Sequence, residues 1–178
     1  MNKNICVKFA EKSDLSRLVK AADEVLRDLK KRGKGDMYGG NDESEFLEVL
    51  GGKIEGTCIV AKEEDRIIGY LVLNTHNENT CKERFKDYGN GDGLCIDGMG
   101  VIPQYQEKGI AKEMIEYAKL YLMLIEKKYF FGTIHPENYQ SILCIAKTTK
   151  KFKISEKTEI YEMKDGRKLE RKYFLTEI

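Results

Sequence analysis

The stretch from Gly98 to Met114 has the residue types and spacing of an anion-binding turn. Its sequence, Gly-Met-Gly-Val-Ile-Pro-Gln-Tyr-Gln-Glu-Lys-Gly-Ile-Ala-Lys-Glu-Met, predicts a strand ending at Pro103, a tight turn, and a helix beginning at Gly109. The first N–H groups of a helix have no acceptor within it and lie at the positive end of its dipole, so they can bind a phosphate. Gly109 would let a phosphate approach the backbone, and Ala111 keeps the next turn small. An ordinary strand-to-helix loop is the alternative, but the strand glycines, the proline and the long amphipathic helix agree with an anion site.

The elements around this turn predict one domain over residues 1–178. Strands are predicted at Asn4–Phe9, Thr57–Lys62, Arg66–Leu73, Leu94–Ile102, Lys128–Thr133, Thr158–Met163 and Lys168–Leu175, the last two joined by a turn at Asp165-Gly166. Helices are predicted from the Ser13 N-cap to Lys31, at Glu43–Leu50, from Gly109 to Glu126, and at Glu137–Thr148. The residues 74–92 are polar and show no clear element. This order indicates an α/β (α+β) fold, with a mixed central sheet of about seven strands and helices on both faces.

Composition and charge exclude several classes of partner. The 31 Lys and Arg residues nearly balance the 30 Asp and Glu residues, so a net charge of +1 gives no reason to expect nucleic acid or an anionic membrane. The longest apolar runs fall well short of the roughly 18 residues that span a bilayer, and the first residues lack the apolar stretch of a signal peptide. Five cysteines are scattered without a CxxC, and four of them lie in apolar stretches, where a reduced cysteine behaves as a small core residue. We therefore expect a cytoplasmic protein.

Two motifs about 30 residues apart resemble a known enzyme family. Val101-x-Pro103-x-x-Gln106-x-x-Gly109-x-Ala111 is similar to the acyl-CoA signature [Q/R]-x-x-G-x-[G/A] of the GNAT superfamily of N-acetyltransferases, and His135-Pro-Glu-Asn138-x-x-Ser141 is similar to its N-x-x-[A/S] segment. The order of predicted elements over most of the chain also resembles that family. The resemblance implies an acyltransferase that moves an acetyl group from acetyl-CoA, used as co-substrate, to an amine by direct attack in a ternary complex.

The resemblance also implies roles for individual residues. The cofactor pyrophosphate would lie against the backbone of the turn and first helical residues, with one lysine nearby: Gln106, Glu107, Lys108, Gly109, Ile110, Ala111 and Lys112. Met99 and Val101 would pair their backbone with the pantetheine arm, and a bulge near Gly98–Gly100 would splay this strand from the next. The Met99 N–H would polarise the thioester carbonyl. Asn138 would hydrogen-bond the cofactor and Ser141 would pack beside it, although Asn138 is also a good helix N-terminal residue and Ser141 is also simply small.

The acid and the base are less clear from the sequence. Many members of the family have a Tyr seven residues after the Asn, which protonates the departing thiolate, but Ile145 occupies this position here. Either Tyr139 or Cys144 supplies the proton, or the thiolate leaves unaided. Asp97 is the candidate base, directly or through water, and a solvated loop carboxylate is its alternative. Two isolated histidines and unspaced cysteines give no metal site.

The acceptor is the least certain part of the prediction. The segments 30–52 and 74–92 flank the acceptor slot in the family, and both are rich in carboxylates that would suit a cationic amine: Asp36, Asp42, Glu43, Glu45, Glu78, Glu83, Asp87 and Asp92. Solvated loop charge explains them equally well. We favour a small-molecule amine over a protein N-terminus or lysine, and leave a homodimer open. A domain that binds acyl-CoA without catalysis is the main alternative. A dinucleotide or P-loop module would need GxGxxG or GxxxxGK[ST] after an early strand, and neither occurs.

Overall fold

A computed structural model describes residues 4–86, 88, 89, 91–162 and 166–178 of the chain. The strands are β1 Ile5–Phe9, β2 Gly56–Glu63, β3 Arg66–Asn74, β4 Gly93–Val101, β5 Tyr129–Ile134, β6 Lys150–Ile154, β7 Glu159–Glu162 and β8 Lys168–Glu177. The α-helices are α1 Leu15–Lys31, α2 Glu43–Leu50, α3 Glu78–Arg84, α4 Ile110–Leu124 and α5 Tyr139–Thr148. No helix in these described ranges is both long and apolar enough to cross a membrane.

One mixed sheet organises the fold, as predicted. Its order is β1-β2-β3-β4-β5-β8-β6, with β7 pairing the first half of β8. Only β4 and β5 pair in parallel, and α4 forms the crossover between them. Their pairing runs from Gly93–Tyr129 to Ile96–Gly132 and then stops, although both strands continue. The sheet therefore splits at its centre, and this split is the predicted splay.

The structure corrects two expectations about elements. The described chain has eight strands rather than about seven, because the charged segment Lys150–Ile154 forms an edge strand on β8 in which no residue is fully buried. Residues 74–92, for which no element was predicted, contain α3. Cys81 is the only buried residue of this short helix. The helix therefore lacks the apolar stripe from which a helix can be predicted. Of the predicted terminal turn, Gly166 has φ +80° and Asp165 lies outside the described residues.

Helices cover both faces of the sheet and shield its central strands from solvent. Every residue of β3 after Arg66 is buried, as are the four central residues of β2, so these strands lack the alternating pattern of a one-sided sheet. Helix α4 packs Met114, Ile115 and Ala118 into the main core, which α1 and α2 complete from the other side. Helix α3 closes a second cluster through Cys81, which groups with side chains of β4, β5 and β8.

A buried carboxylate fixes the start of α1. Asp14 is 1% exposed and accepts hydrogen bonds from Lys62 Nζ at 2.6 Å, Arg17 Nη2 at 2.8 Å and the Glu11 backbone N–H at 3.1 Å. Burial by itself raises the pKa of Asp14, but these donors and the two cations outweigh it and hold the pKa below its ordinary value. The ionised carboxylate therefore stabilises the native state.

We expect Asp14→Asn to lower the free energy of unfolding at pH 7 by about 2 kcal/mol, the scale of hydrogen bonds to a charged group. Because the folded-state pKa of Asp14 is lowered, its contribution is complete above its unfolded pKa of about 4 and is lost as the pH falls through the folded pKa. Urea unfolding at pH 7 and at pH 3 measures this difference. Asp65→Asn is the control, since Asp65 meets the same Arg17 at 3.9 Å but is fully exposed. Equal effects of the two variants at pH 7 would contradict this account.

Candidate active site

The site lies where β4 leaves β5, and a register shift shapes it. Val72 of β3 pairs with Gly98 and Leu73 pairs with Ile96, so Asp97 is an extra residue with no partner on β3. This bulge precedes Gly98, one residue earlier than the stretch Gly98–Gly100 that the sequence predicts. The strand glycines serve a different purpose, because a Cβ on Gly98 would lie 1.9 Å from Asn41 Oδ1. Gly98 thus allows the loop before α2 to touch the strand.

Beyond the bulge, the backbone of β4 is open to the split. The Ile102 N–H donates to the Ile68 carbonyl of β3 at 3.0 Å. Because successive N–H groups of a strand point to opposite edges, those of Met99 and Val101 point away from β3 and toward the split. These are the two residues that the sequence assigns to the pantetheine arm. Their unpaired edge can accept an added strand or an extended ligand.

A cavity of about 230 Å³ occupies the split. Residues from both faces of the sheet line it: Met37, Tyr38, Gly39, Gly40, Asn41, Glu45, Asn77, Ile96, Asp97, Gly98, Met99, Thr133, Ile134, Asn138, Ser141, Ile145, Tyr161, Leu169, Arg171 and Phe174. Four of the sequence-predicted site residues are therefore together in one cavity, namely Asp97, Met99, Asn138 and Ser141. The turn before α4 lies outside this set, at the end of the same strand.

That turn has the backbone geometry of an anion site. Gly109 is the N-cap of α4 with φ +83°, and Glu107 also has a positive φ of 64°. Glu113 is the first residue of α4 whose N–H donates within the helix, to the Gly109 carbonyl at 3.0 Å. Within the described chain, the N–H groups of the residues from Lys108 to Lys112 have no backbone acceptor. The sequence assigns the N–H groups of Gln106 to Ala111 to a phosphate, and one of these is already used, because the Gln106 N–H donates to the Pro103 carbonyl at 3.2 Å.

The side chain of Gln106 supports this turn instead of facing a ligand. Its Nε2 donates to the Val101 carbonyl at 3.0 Å, and its Oε1 accepts from Arg32 Nη2 at 3.4 Å. The first contact ties the end of β4 to the turn, and the second brings a cation from the end of α1. Arg32 was not predicted as a site residue, and its position after a helix gives no sequence signal for it.

Helix α5 begins at the cavity. Asn138 is its N-cap, and its Oδ1 accepts from the Ser141 N–H at 3.3 Å, which leaves its amide NH₂ available. Both the structural and the cofactor-facing interpretation of Asn138 are thus compatible with its geometry. Ile145 is 2% exposed and lines the cavity, so an apolar side chain occupies the position of the expected phenol. Tyr139 is 66% exposed and is not among the lining residues.

Two carboxylates line the cavity. Asp97 Oδ2 accepts from Asn74 Nδ2 at 2.9 Å and lies 3.8 Å from His76 Nδ1, while Asn74 is itself buried. Glu45 Oε2 accepts from Asn41 Nδ2 at 3.2 Å. Burial raises the pKa of Glu45, and the charge of Asp97 contributes in the same direction. The pair gives the cavity a negative region beside the bulge.

The phenols of Tyr161 and Tyr38 both line the cavity, and Tyr38 lies beside the two carboxylates. Its hydroxyl donates to Asn41 Oδ1 at 2.5 Å and contacts the hydroxyl of Tyr70. Burial raises the pKa of Tyr38 well above its ordinary value, so this phenol stays protonated at any pH at which the protein would be assayed. Sequence analysis missed Tyr38 and Glu45 as individual site residues, because each looks like part of a solvated loop or helix start.

Residues 32–40 form a glycine-rich loop between α1 and α2. Arg171 of β8 and Arg167 of the preceding turn hold this loop against the cavity. Arg167 donates to the carbonyls of Gly35, Tyr38 and Gly39 at 2.8–3.2 Å. Arg171 Nη1 donates to the Asp36 carbonyl at 3.1 Å. These contacts satisfy the loop carbonyls from outside the loop. The glycine-rich loop is therefore held in place by these contacts and forms one side of the cavity.

Most of the loop carboxylates that suggested a cationic acceptor are used elsewhere. Glu78 Oε1 accepts from the Tyr88 hydroxyl and the Gly91 N–H, and Asp42 caps α2. Asp36 faces His135 at 3.8 Å, and Asp87 lies outside the described residues. Among the members of this set that the structure describes, only Glu45 lines the cavity. In the described part of the chain, no group of three or more His, Cys, Asp or Glu side chains could hold a metal ion.

Comparison with known proteins gives the site a context. Residues 16–147 match the model of the acetyltransferase (GNAT) family. None of the curated proteins compared with the chain matches it. Many solved structures share the fold, at low sequence identity.

Three of these solved structures serve as examples, with their TM-score, sequence identity and coverage. Arabidopsis thaliana NAA60 in complex with acetyl-CoA has a TM-score of 0.69 and 19% identity, with 98% of each chain covered. The ribosomal-protein-S18-alanine N-acetyltransferase from Escherichia coli has a TM-score of 0.66 and 13% identity, covering 98% of this chain and 94% of the other. The PaiA N-acetyltransferase from Thermoplasma acidophilum in complex with coenzyme A has a TM-score of 0.65 and 12% identity, covering 98% and 99%. At these identities the likeness concerns the fold.

Proposed function

The chain belongs to the acetyltransferase (GNAT) family, and we propose that it transfers an acetyl group from acetyl-CoA to the primary amine of a small molecule. The observation that carries this proposal is one continuous path from a row of unpaired N–H groups at Gly109, along the open edge of β4, to a cavity that holds the Asp97 carboxylate. The first part suits a pyrophosphate, the second an extended pantetheine arm, and the third an amine.

Most of the residues that would hold the cofactor are those predicted from the sequence. The backbone N–H groups from Lys108 to Ala111 would bind the pyrophosphate, with Lys112 as a nearby donor, whereas Gln106 braces the turn and its own N–H is used by Pro103. Met99 and Val101 would pair their backbone with the pantetheine arm, Val101 through its outward N–H and Met99 through its carbonyl, which leaves the Met99 N–H for the thioester. Asn138 offers its amide NH₂ to the same arm, and Ser141 leaves room for it because its side chain is small.

Bound acetyl-CoA supplies an activated acyl carbon next to the cavity. Asp97 accepts the proton that an ammonium substrate must lose, directly or through a water, and Asn74 holds its carboxylate toward the cavity. The free amine attacks the thioester carbon, and the carbonyl oxygen becomes an oxyanion that the Met99 N–H stabilises. Collapse of the tetrahedral intermediate breaks its C–S bond and forms the amide, while the remaining extra proton of the nitrogen passes to solvent or to the departing CoA thiolate.

The thiolate leaves without a phenolic acid in this proposal, because Ile145 replaces it, Tyr139 faces solvent, and the Tyr38 hydroxyl already donates to Asn41 Oδ1. We therefore expect Tyr139→Phe to keep kcat within about twofold of wild type, since an acid that is not used contributes nothing to the rate. The pH profile of kcat should rise as the amine deprotonates and then level off, without a fall near pH 10 where a Tyr would titrate. Steady-state rates between pH 6 and pH 10.5 measure both. An alkaline fall in wild type that disappears in Tyr139→Phe would make Tyr139 the acid.

Two experiments test the proposed function. Isothermal titration with acetyl-CoA in EDTA should give saturable heat, because no metal takes part. CoA thiol release is then followed with a panel of amino acids, peptides, polyamines and aminoglycosides, and the acetylated product is identified by mass spectrometry. Turnover with a small amine supports the proposal. Binding of acetyl-CoA without turnover on any amine would favour the catalytically silent alternative.

A further inference from the structure

The cavity has opposite charges at its two ends. Asp97 and Glu45 lie near the bulge of β4, whereas Arg171 reaches the cavity from β8. Arg171 is 7% exposed, which is rare for a charged residue that has no carboxylate partner. Its position raises the question of what this guanidinium binds.

Only part of the hydrogen-bonding capacity of Arg171 is used by the protein. Nη1 donates to the carbonyls of Asp36 at 3.1 Å and Glu170 at 2.8 Å. Across the described ranges, Nε and Nη2 have no protein acceptor, yet no buried side-chain nitrogen of the structure lacks a partner. These two nitrogens are therefore not sealed in the protein and reach the open space of the cavity. They present the planar donor pair that matches the two oxygens of a carboxylate.

The charge of Arg171 is also not neutralised by the protein. No ion pair joins it to a carboxylate among the residues that the structure describes: Asp36, whose charge acts on it, is 57% exposed and faces His135, and Glu159, opposite Arg171 on β7, pairs with Arg84. Burial lowers the pKa of Arg171 to about 10, so it remains a cation at neutral pH. A buried cation without a partner is costly, and an anionic ligand would offset that cost.

The sheet register relates the two ends of the cavity. Ile96, Gly132 and Phe174 lie in one row across β4, β5 and β8. Asp97 is one residue beyond this row, and Arg171 is three residues beyond it in the same direction, because β8 runs antiparallel to β5. The two Cα atoms are therefore about 7 Å apart along the strands and at least about 10 Å apart across them, because β4 and β5 diverge beyond Ile96 and Gly132. Both side chains can reach a molecule the size of an amino acid or a short peptide.

We propose that the acceptor carries a carboxylate in addition to its amine, and that Arg171 binds this carboxylate while Asp97 faces the amine. The inference rests on the proposed function and narrows its substrate class to amino acids and small peptides with a free acid. It replaces the polycationic acceptor that the loop carboxylates suggested. Arg171 is then a specificity-determining residue that contacts the substrate away from the reacting atoms.

The test compares acceptors that differ only at the acid. Each amino acid or dipeptide is assayed against its carboxamide, with spermidine as a third arm. In wild type we expect kcat/KM for the acid to exceed that for the amide by roughly ten- to a hundredfold, mainly through KM, as expected for hydrogen bonds to a charged group. Arg171→Gln should bring this ratio close to one, and Arg171→Lys should retain part of it.

Arg167→Gln is the matched control. Arg167 holds the same loop through Gly35, Tyr38 and Gly39 but does not line the cavity, so its loss should lower both rates and leave the acid-to-amide ratio unchanged. A wild-type preference for the amide or for spermidine would overturn the inference, whether or not the variants fold. An unchanged ratio in folded Arg171→Gln would overturn it too. Failure to acetylate any amine would instead overturn the proposed function, and this inference with it.

Discussion

Gly109→Val should abolish measurable binding of acetyl-CoA, weakening it by at least about a hundredfold, or roughly 2.7 kcal/mol. Gly109 is the N-cap of α4 at φ +83°, and no protein atom lies within 4 Å of the position that its Cβ would take. The space into which a valine side chain would project is thus the space proposed for the pyrophosphate. The positive φ is also unfavourable for valine, so the turn would distort and scatter its N–H donors. Isothermal titration with acetyl-CoA measures the loss.

Gly52 provides a control with the same kind of backbone. It follows α2 with φ +73°, and a Cβ there would likewise meet nothing within 4 Å. Gly52→Val should therefore lose a similar amount of stability, about 1–2 kcal/mol, while its affinity for acetyl-CoA stays that of wild type. Thermal unfolding and circular dichroism confirm that both variants fold. If folded Gly109→Val binds acetyl-CoA as well as Gly52→Val does, the pyrophosphate site is not at this turn.

Asp97→Asn should lower kcat at pH 7 by about a hundredfold, which lies within the usual range for removal of a general base. The asparagine keeps the size of the side chain and can still contact Asn74, so the cavity should retain its shape. Because the defect is the lost proton acceptor, the rate should recover as the pH rises toward the pKa of the amine. Steady-state kinetics from pH 6 to pH 10 measure the loss and the recovery. The affinity for acetyl-CoA should not change.

The Glu45→Gln variant distinguishes the role of Glu45 from that of Asp97, the other carboxylate of the cavity. Glu45 has the raised pKa, but its Oε2 already accepts from Asn41 and from the Asp42 N–H in the capping box of α2. We expect its loss to reduce kcat by less than tenfold, since it acts through the charge of the cavity. If Glu45→Gln lowered kcat a hundredfold and Asp97→Asn lowered it only slightly, Glu45 would be the base and Asp97 would act only through its charge. An Asp97→Asn enzyme that does not recover at high pH would show that Asp97 has a structural role only.

The cofactor half of the site could be predicted from the sequence because it is local. The strand, the turn at Gly109 and the following helix are consecutive in the chain, and their backbone geometry depends on residue types within about a dozen positions. The same holds for Asn138, whose N-cap position follows from its place before an apolar helix. The splay of β4 from β5 was also expected, but only from the resemblance to the family. The pairing that ends at Ile96 and Gly132 joins segments far apart in the sequence, so local residue types do not predict it.

The acceptor half could not be predicted because it depends on distant contacts. Glu45 occupies the third position of a capping box, where a glutamate usually has only a structural role. Tyr38 lies in a glycine-rich stretch that resembles a flexible connector, and it is Arg167, more than 120 residues later, that fixes its carbonyl. Arg171 stands between two other charged residues of β8, Glu170 and Lys172, and belongs to no motif. Only the tertiary structure brings these residues around one cavity.

Single turnover with mass analysis of every product tests the central claim most directly. Protein and one equivalent of acetyl-CoA are mixed in EDTA, the intact protein mass is recorded, and a carboxylate-bearing amine is then added. We predict that the protein mass stays unchanged throughout, and that one acetylated amine and one CoA form per acetyl-CoA only after the amine is added, as direct attack in a ternary complex requires. An acetylated protein before the amine is added, or bound acetyl-CoA that yields no acetylated amine, would contradict the account.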